Sequence, residues 1–114
     1  MQSQIERREE IFTLAKQMRA KFPEFEKNMT ANDALVYGDG ALPESVKRMM
    51  AMVGALVSRC EGCILSQTMR AIDSGATAAE IIEACHVAMM LGGTMALAES
   101  TKVLALLKEK GMID

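Results

Sequence analysis

Apolar positions recur with a helical period near the N-terminus. Ser3 and Glu6 form a capping-box pattern, which predicts a helix that begins there and runs to about Phe22. Its apolar residues fall on one side: Ile5, Phe12, Ala15 and Phe22. Pro23 ends this helix and suits the first turn of a second, short helix. The chain therefore opens with two helices in succession.

A third helix is more apolar than the first. The glycines of residues 36–40 predict a turn, and Pro43 then begins a helix from Glu44 to about Ser58. Its apolar residues cover well over half of the circumference: Val46, Met49, Met50, Val53, Leu56 and Val57. We expect such a helix to lie at the centre of a bundle or beneath another subunit.

Glycines and a second capping-box pattern, Thr77 with Glu80, divide the rest of the chain into three helices. The predicted boundaries are a break at Gly62, a fourth helix to Ser74 stopped by Gly75, a fifth over 78–91, an end at Gly92-Gly93, and a last helix from Thr94 to Lys110. No linker, repeat or long strand candidate interrupts them. The sequence predicts an all-α, single-domain bundle of about six helices over residues 1–114.

Composition and charge narrow the class of protein. Half of the chain is hydrophobic, yet it contains only three Phe, one Tyr and no Trp, whereas 11 Met favour helices over strands. The net charge is −2, so neither a basic face nor an aromatic platform for nucleic acid is expected. The longest run without polar side chains, Met49–Val57, is too short to span a bilayer, and the charged start lacks a signal-peptide pattern. We expect a cytoplasmic protein that contacts neither nucleic acid nor membrane.

The cysteine pair Cys60 and Cys63, a CxxC sequence, is the sharpest chemical feature. Two thiols separated by two residues at the start of a helix are close enough to form a disulfide. The unpaired N–H groups and the helix dipole stabilise a thiolate there. Arg59 and Arg70 could add positive potential, which Glu61 opposes. A thiolate attacks disulfides and peroxides, and the neighbouring thiol then captures the product as a disulfide.

Two structural interpretations of the pair stay open. Half of a zinc site would need a second pair of ligands, for which Cys85 and His86 are the candidates. Adjacent helical residues point about 100° apart, so these two are poorly placed to chelate, and we predict no metal. Alternatively, Cys60 and Cys63 are simply small buried residues of the core.

The other candidates for chemistry have weaker patterns. Cys85 falls on an apolar stripe, four residues after Ile81, which favours packing. His86 is the one histidine and could carry a proton if its helix lines the thiol site, although a boundary position is favoured. The carboxylates Asp33, Asp39 and Glu44 lack the spacing of a metal loop, so we predict that they are solvated.

From Leu42 to Ala98 the sequence resembles the carboxymuconolactone decarboxylase family, which includes the alkyl hydroperoxidase AhpD-like proteins. The segments that carry the resemblance are Leu42-Pro43-Glu44-Ser45-Val46-Lys47, Arg59-Cys60-Glu61-Gly62-Cys63, Ala71-Ile72-Asp73-Ser74-Gly75-Ala76-Thr77-Ala78-Ala79-Glu80-Ile81 and Met89-Met90-Leu91-Gly92-Gly93. The resemblance implies an all-helical fold and a homo-oligomer, commonly a trimer or hexamer. For the AhpD-like branch it also implies a thiol peroxidase or disulfide reductase centre at the CxxC.

Carried over from that branch, Cys63 would attack peroxide and Cys60 would resolve the product. The acid of the family's proton relay falls on Arg48 here, and its histidine falls on Gln67. Gln67 can face Cys63 one helical turn away and donate a hydrogen bond, but an amide accepts no proton near neutral pH. Arg48 would favour a thiolate by its charge.

The leading hypothesis is a thiol-disulfide oxidoreductase with weak or specialised peroxide-reducing activity and no cofactor. Besides Arg48 and Gln67, Glu61 and His86 are candidates for tuning the site or replacing the missing base. Its partners would be a small peroxide or disulfide and a reductant protein. The alternatives are a cofactor-free decarboxylase of the same family and a catalytically decayed helical oligomer that acts as a binding or scaffold protein.

Overall fold

A computed structural model describes residues 2–114, which fold into five α-helices without a strand among them. In chain order the helices are α1 (Gln4–Ala20), α2 (Pro23–Tyr37), α3 (Glu44–Ser58), α4 (Glu61–Asp73) and α5 (Ala78–Glu109). The predicted all-α class is confirmed, and the chain forms one domain.

Local capping explains where several helices begin. The Ser3 hydroxyl accepts a hydrogen bond from the Glu6 N–H at 3.2 Å. At the start of α5 the capping box is complete, because Thr77 Oγ1 accepts from the Glu80 N–H and a Glu80 carboxylate oxygen accepts from the Thr77 N–H. Pro23 occupies the first turn of α2. Each start depends on side chains within three residues, which is why the sequence predicts it.

A sharp bend divides α5 where the sequence predicts a break. Gly93 adopts φ 63° and ψ −147° inside the helix, a left-handed conformation that glycine tolerates best. Gly92 lies against α3, where a Cβ would approach Val57 Cγ1 to 3.3 Å. The predicted fifth and sixth helices are thus the two halves of one bent α5.

Helix α5 is also long and apolar enough, by length and composition, to cross a bilayer; it is the one such helix among residues 2–114. Its most apolar 18-residue window has a mean hydropathy of 1.6. The bend at Gly93 separates halves over 78–92 and 94–109, each shorter than the roughly 20 residues that a straight span needs. The expectation that the chain does not enter a membrane stays a prediction.

The core forms where α3 packs against α4 and α5. Met52 and Leu56 of α3 are completely buried, together with Ile64 of α4 and Ile81 and Leu107 of α5. Helix α3 makes its most extensive contacts with these two helices, which agrees with the central position predicted for it. The alternative, that another subunit covers it, stays a prediction.

Helix α2 differs from the others because none of its residues is buried. Its partly buried residues are polar: Glu26, Asp33 and Tyr37. Its large apolar side chains instead face outward, and Phe25 and Leu35 are 63% and 80% exposed. Polar contacts therefore attach α2 to the rest of the molecule.

Candidate redox site at the start of α4

Cys60 and Cys63 are joined by a disulfide at the start of α4, with their Cα atoms 5.2 Å apart. Cys60 is the N-cap residue, and its Sγ accepts a hydrogen bond from the Cys63 N–H at 3.3 Å. Cys60 is partly buried, whereas Cys63 is exposed. The helix therefore offers an N–H donor to the first sulfur and presents the second one to solvent.

The connection between α3 and α4 fixes this position. Arg59 adopts a left-handed conformation, φ 60° and ψ 37°, which ends α3. The Cys60 N–H then donates to the Ala55 carbonyl at 3.1 Å. A left-handed residue that is not glycine costs about 1 kcal/mol or more, so the packing of α3 and α4 must hold the turn directly before the cysteine pair.

Glu61 ties the start of α4 to two other helices. One carboxylate oxygen accepts from Arg7 Nε at 3.1 Å and lies 3.0 Å from Arg7 Nη2, while the other lies 3.8 Å from Lys102 Nζ. The hydrogen bond to Glu61 raises the pKa of Arg7 above its ordinary value. All three side chains are about one-third exposed, so each pair contributes little stability. Glu61 is thus paired with α1 and α5, although it lies between the two cysteines in the sequence.

Arg48 is the centre of a polar cluster that joins α2, α3 and α4. Its side chain is only 5% exposed, and three of its nitrogens donate to separate helices or turns. Nε donates to Glu44 at 3.1 Å, Nη1 to Gln67 Oε1 at 3.2 Å and Nη2 to Asp33 at 3.2 Å. The Tyr37 ring stacks on the guanidinium, 3.8 Å from Cζ to the ring centre. The cluster satisfies a buried charge, which would otherwise be costly.

The contact with Arg48 fixes the orientation of the Gln67 amide. A guanidinium has only donors, so the group that faces it must be the Gln67 oxygen rather than the nitrogen. The Nε2 donors of Gln67 are then directed away from Arg48. Gln67 lies one turn after Cys63 on the same side of α4, which places a polarised amide donor on the face that carries the exposed sulfur.

Asp33 and Glu44 correct a prediction made from the sequence. Both were expected to be solvated, but both are ion-paired with Arg48, and Asp33 also accepts from Arg70 Nη1 at 3.2 Å. Only Asp39 is exposed, and its Oδ1 accepts from the Glu44 N–H at 2.8 Å at the start of α3. The sequence spacing suggests the Glu44–Arg48 pair, four residues apart on one helix, but gives no signal for partners on other helices.

Cys85 and His86 occupy a different part of the molecule. They line a cavity of about 210 Å³ between the two halves of α5, together with Met89, Ser100 and Leu104. Cys85 is buried and His86 is exposed. Burial raises the pKa of the Cys85 thiol, and a hydrogen bond with Ser100 offsets this only partly. A neutral, buried thiol suits the packing role predicted for Cys85.

The described residues contain no group of three or more His, Cys, Asp or Glu side chains arranged to hold a metal ion. Of the predicted site residues, the fold brings Arg48 and Gln67 into contact and places Gln67 one turn from Cys63. Glu61 lies between the two cysteines in sequence but pairs with α1 and α5. The predicted role of His86 as a replacement base remains a prediction.

Family membership follows from the match between this chain and a family model. The model of the carboxymuconolactone decarboxylase family matches residues 23–106, from the start of α2 into the second half of α5. The chain belongs to this family. The match includes both the cysteine pair and the Arg48 cluster.

Known members of the family and their relatives are similar to the chain in sequence and fold. A crystal structure of a carboxymuconolactone decarboxylase family protein from Legionella pneumophila superposes with a TM-score of 0.82 at 27% identity, covering 89% of this chain and 90% of that one. A family protein from Thermotoga maritima, possibly involved in antioxidative response, has a TM-score of 0.69 at 30% identity, and the match covers 75% of this chain and 89% of that one. Uncharacterized protein 4 in cox locus of Paracoccus denitrificans is 37% identical over 66% of this chain and 68% of its own length.

Proposed function

We propose that the protein is a thiol-disulfide oxidoreductase of the AhpD-like type that also reduces peroxides slowly. The observation that carries the proposal is the Cys60–Cys63 pair at the start of α4, with Cys63 exposed and Cys60 in the N-cap position. The link of the Thermotoga maritima relative to an antioxidative response is consistent with this chemistry.

Exposure and hydrogen bonding divide the roles of the two sulfurs. Cys63, which is exposed, is the sulfur that an incoming substrate can reach. Cys60 is partly buried and accepts the Cys63 N–H, so its thiolate is stabilised and makes a good resolving and leaving group. Cys63 is therefore the nucleophile and Cys60 the resolving thiol.

The proposed disulfide reaction balances without a cofactor. The Cys63 thiolate attacks one sulfur of a substrate disulfide, forms a mixed disulfide and releases the other half as a thiolate. The Cys60 thiolate then attacks Cys63 Sγ, so that the Cys60–Cys63 disulfide forms and the second substrate thiol leaves. The two thiol protons of the enzyme end on the two product thiols, and a reductant protein with a dithiol restores the enzyme.

The peroxide reaction uses the same thiolate. Cys63 attacks one peroxide oxygen, which gives a sulfenic acid and an alcohol or water, and Cys60 condenses with the sulfenic acid to form the disulfide and water. Arg48 and Gln67 can stabilise negative charge, but neither accepts a proton near neutral pH. General acid–base assistance is typically worth about 10²–10⁴-fold, so we expect disulfide exchange to be faster than peroxide reduction.

The test uses single-cysteine variants of the reduced protein and a stoichiometric small disulfide. We expect wild type to lose two thiols together and Cys60→Ser to retain a stable mixed disulfide on Cys63. Cys63→Ser should form no such adduct. Cys85→Ala serves as the matched control and should behave as wild type. Loss of fewer than two thiols in wild type, or an adduct in Cys63→Ser alone, would contradict the proposal.

We also propose that the protein works as a homo-oligomer, because large apolar side chains cluster on its surface around the bend of α5. Met90 and Leu91 are 88% and 71% exposed, and Leu97 is 50% exposed. These residues, together with the exposed Phe25 and Leu35 of α2, favour burial against a second copy. Light scattering should give a mass of several chains at micromolar concentration, and a monomer would contradict this proposal.

A further inference from the structure

Three side chains line one face of α4 in the order Cys63, Gln67 and Arg70. Their spacings of four and three residues place them on consecutive turns of the same side of the helix. Arg48 of α3 joins this row through its hydrogen bond to Gln67. Two guanidinium groups therefore lie along the face that carries the nucleophilic sulfur.

Asp33 of α2 binds both of these guanidinium groups with one carboxylate. Its Oδ2 accepts from Arg48 Nη2 and from Arg70 Nη1, each at 3.2 Å, and its Oδ1 lies 3.4 Å from Arg70 Nη1. Glu44 supplies a second carboxylate to Arg48. The four groups carry two positive and two negative charges, so the cluster is neutral with Asp33 and has a charge of +1 without it.

Neighbouring charges leave this balance unchanged. Arg8 interacts electrostatically with both Arg70 and Asp73, which adds one charge of each sign. Asp73 also borders a polar pocket that it shares with Arg48 and Arg70. Asp33 is distinguished from Glu44 because it contacts both guanidinium groups, and removing its charge leaves the cluster with a net charge of +1.

The helix that carries Asp33 is attached almost entirely by polar contacts. None of its residues is buried. Apart from the Asp33 contacts, it is held to α3 by Tyr37 stacked on Arg48 and by Lys47 Nζ, which donates to the Val36 and Gly38 carbonyls at 2.8 and 2.7 Å. No residue of α2 belongs to the hydrophobic core, so these polar contacts are its main links to α3 and the Arg48 cluster.

We infer that Asp33 is a positioning residue that restrains the redox pair: its carboxylate neutralises Arg48 and Arg70 and keeps Cys63 less reactive than the two arginines alone would make it. The inference rests on the proposed function of the cysteine pair. The inference assigns α2, a helix that does not touch the disulfide, a role in setting how fast Cys63 reacts. Arg48 promotes the thiolate through Gln67, and Asp33 opposes it.

The experiment compares variants whose effects have opposite signs. Iodoacetamide alkylation of Cys63 is followed at pH 7 and low salt in a reduced Cys60→Ser/Cys85→Ala background, which isolates the Cys63 thiol. Asp33→Asn keeps an oxygen acceptor but removes the charge, so we expect alkylation about threefold faster. Arg48→Gln removes a positive charge and should slow it about threefold. The double variant should return close to the background rate.

Several controls separate this role from a purely structural one. Glu24→Gln removes an exposed carboxylate from the same helix and should leave the rate unchanged. Asp33→Glu keeps the charge and should restore the background rate. If Arg48→Gln does not fold, as judged by circular dichroism, Arg70→Gln replaces it, since Arg70 is 37% exposed and also bound to Asp33. High salt should reduce all of these differences.

The outcomes distinguish the inference from the proposed function. If Asp33 and Arg48 only hold the cluster together, Asp33→Asn and Arg48→Gln should change the alkylation rate of Cys63 in the same direction. That result would overturn the inference. An unchanged rate in Asp33→Asn would overturn it as well. Alkylation needs no turnover, so the rates test Asp33 even if the protein reduces no disulfide, whereas failure of the thiol titration would reject the redox function alone.

Discussion

The chain keeps its cysteines in two contrasting surroundings. Cys60 and Cys63 lie at a helix start, in a disulfide, and the Cys63 face continues into a network of charged and amide side chains. Cys85 lies within a bent helix, buried among apolar side chains. The same thiol group is therefore placed where ionisation is favoured in one region and where it is opposed in the other. The difference teaches that burial and backbone N–H groups, rather than the number of cysteines, decide where a thiol can ionise.

The most direct test of this difference is to measure how fast each thiol is alkylated in the folded, reduced protein. We expect Cys63 to be alkylated at least about a hundredfold faster than Cys85, because Cys63 is exposed whereas Cys85 is 5% exposed and its pKa is raised by burial. Mass spectrometry of quenched samples gives both rates from one reaction. In denaturant the two rates should converge.

A Cys85 that reacts as fast as Cys63 in the folded state would remove the distinction between a chemical and a packing cysteine. Cys63→Ser provides the control, since the slow phase assigned to Cys85 should persist in it unchanged. Cys85→Ala should remove only that phase.

The sequence predicts where the cysteines lie better than it predicts the polar cluster. Capping residues such as Ser3 and Thr77 act on neighbours within three residues, and an apolar stripe places Cys85 in the core. Asp33 instead meets Arg48 and Arg70, which are 15 and 37 residues away in the chain. Such partners become neighbours only when α2, α3 and α4 pack together. No local sequence pattern predicts that packing. The prediction that Asp33 is solvated missed its two ion pairs for this reason.

The bend of α5 is also only partly predictable from the sequence. The sequence Gly92-Gly93 predicts an interruption, and Gly93 supplies it with its left-handed φ of 63°. The contact of Gly92 with Val57 depends on the approach of α3, which the sequence does not show. The break depends on the freedom of glycine to adopt a positive φ, whereas the close helix contact depends on its lack of a Cβ. Only the break can be predicted from the local sequence.

The second prediction perturbs the region of Cys85 and spares the region of Cys63. In Gly92→Ala the new Cβ would lie 2.8 Å from Ala96 Cβ and 3.3 Å from Val57 Cγ1, so the bend must shift. We expect the free energy of unfolding to fall by about 1–3 kcal/mol, measured by denaturant titration. Alkylation of Cys85 should accelerate, whereas that of Cys63 should stay within about twofold, because local opening of α5 exposes only the former.

Gly54→Ala is the matched control for this variant. Gly54 lies inside α3, and a Cβ there would meet no atom within 4 Å. Alanine is the better helix former, so we expect this change to stabilise the protein by about 0.5–1 kcal/mol. If Gly92→Ala were equally stabilising, the close approach of α5 to α3 would have no energetic role.

The smallest expected effect is a change in the free energy of unfolding at alkaline pH. It tests whether the folded state opposes ionisation of Cys85. In the oxidised protein Cys60 and Cys63 are joined, so Cys85 is the thiol left to titrate. Burial raises its pKa in the folded state above the value of about 8.5 that it has in the unfolded chain. Below the unfolded value both states hold the proton, and the thiol adds no pH dependence. As the pH rises above it, the unfolded state loses the proton first, so the free energy of unfolding falls until the folded pKa is passed.

That loss has a limiting slope of about 1.4 kcal/mol per pH unit for one group, and partial ionisation makes the observed slope smaller. The measurement is therefore the difference between wild type and Cys85→Ala in urea titrations from pH 7.5 to 10, in which the contributions of all other groups cancel. We expect the Cys85→Ala curve to fall less steeply. If the free energies of unfolding of the two proteins fell in parallel with pH, the Cys85 thiolate would be as stable in the folded protein as in the unfolded chain. In that case burial between the halves of α5 would not keep this cysteine out of the chemistry, and its distance from the helix start would have to account for the difference.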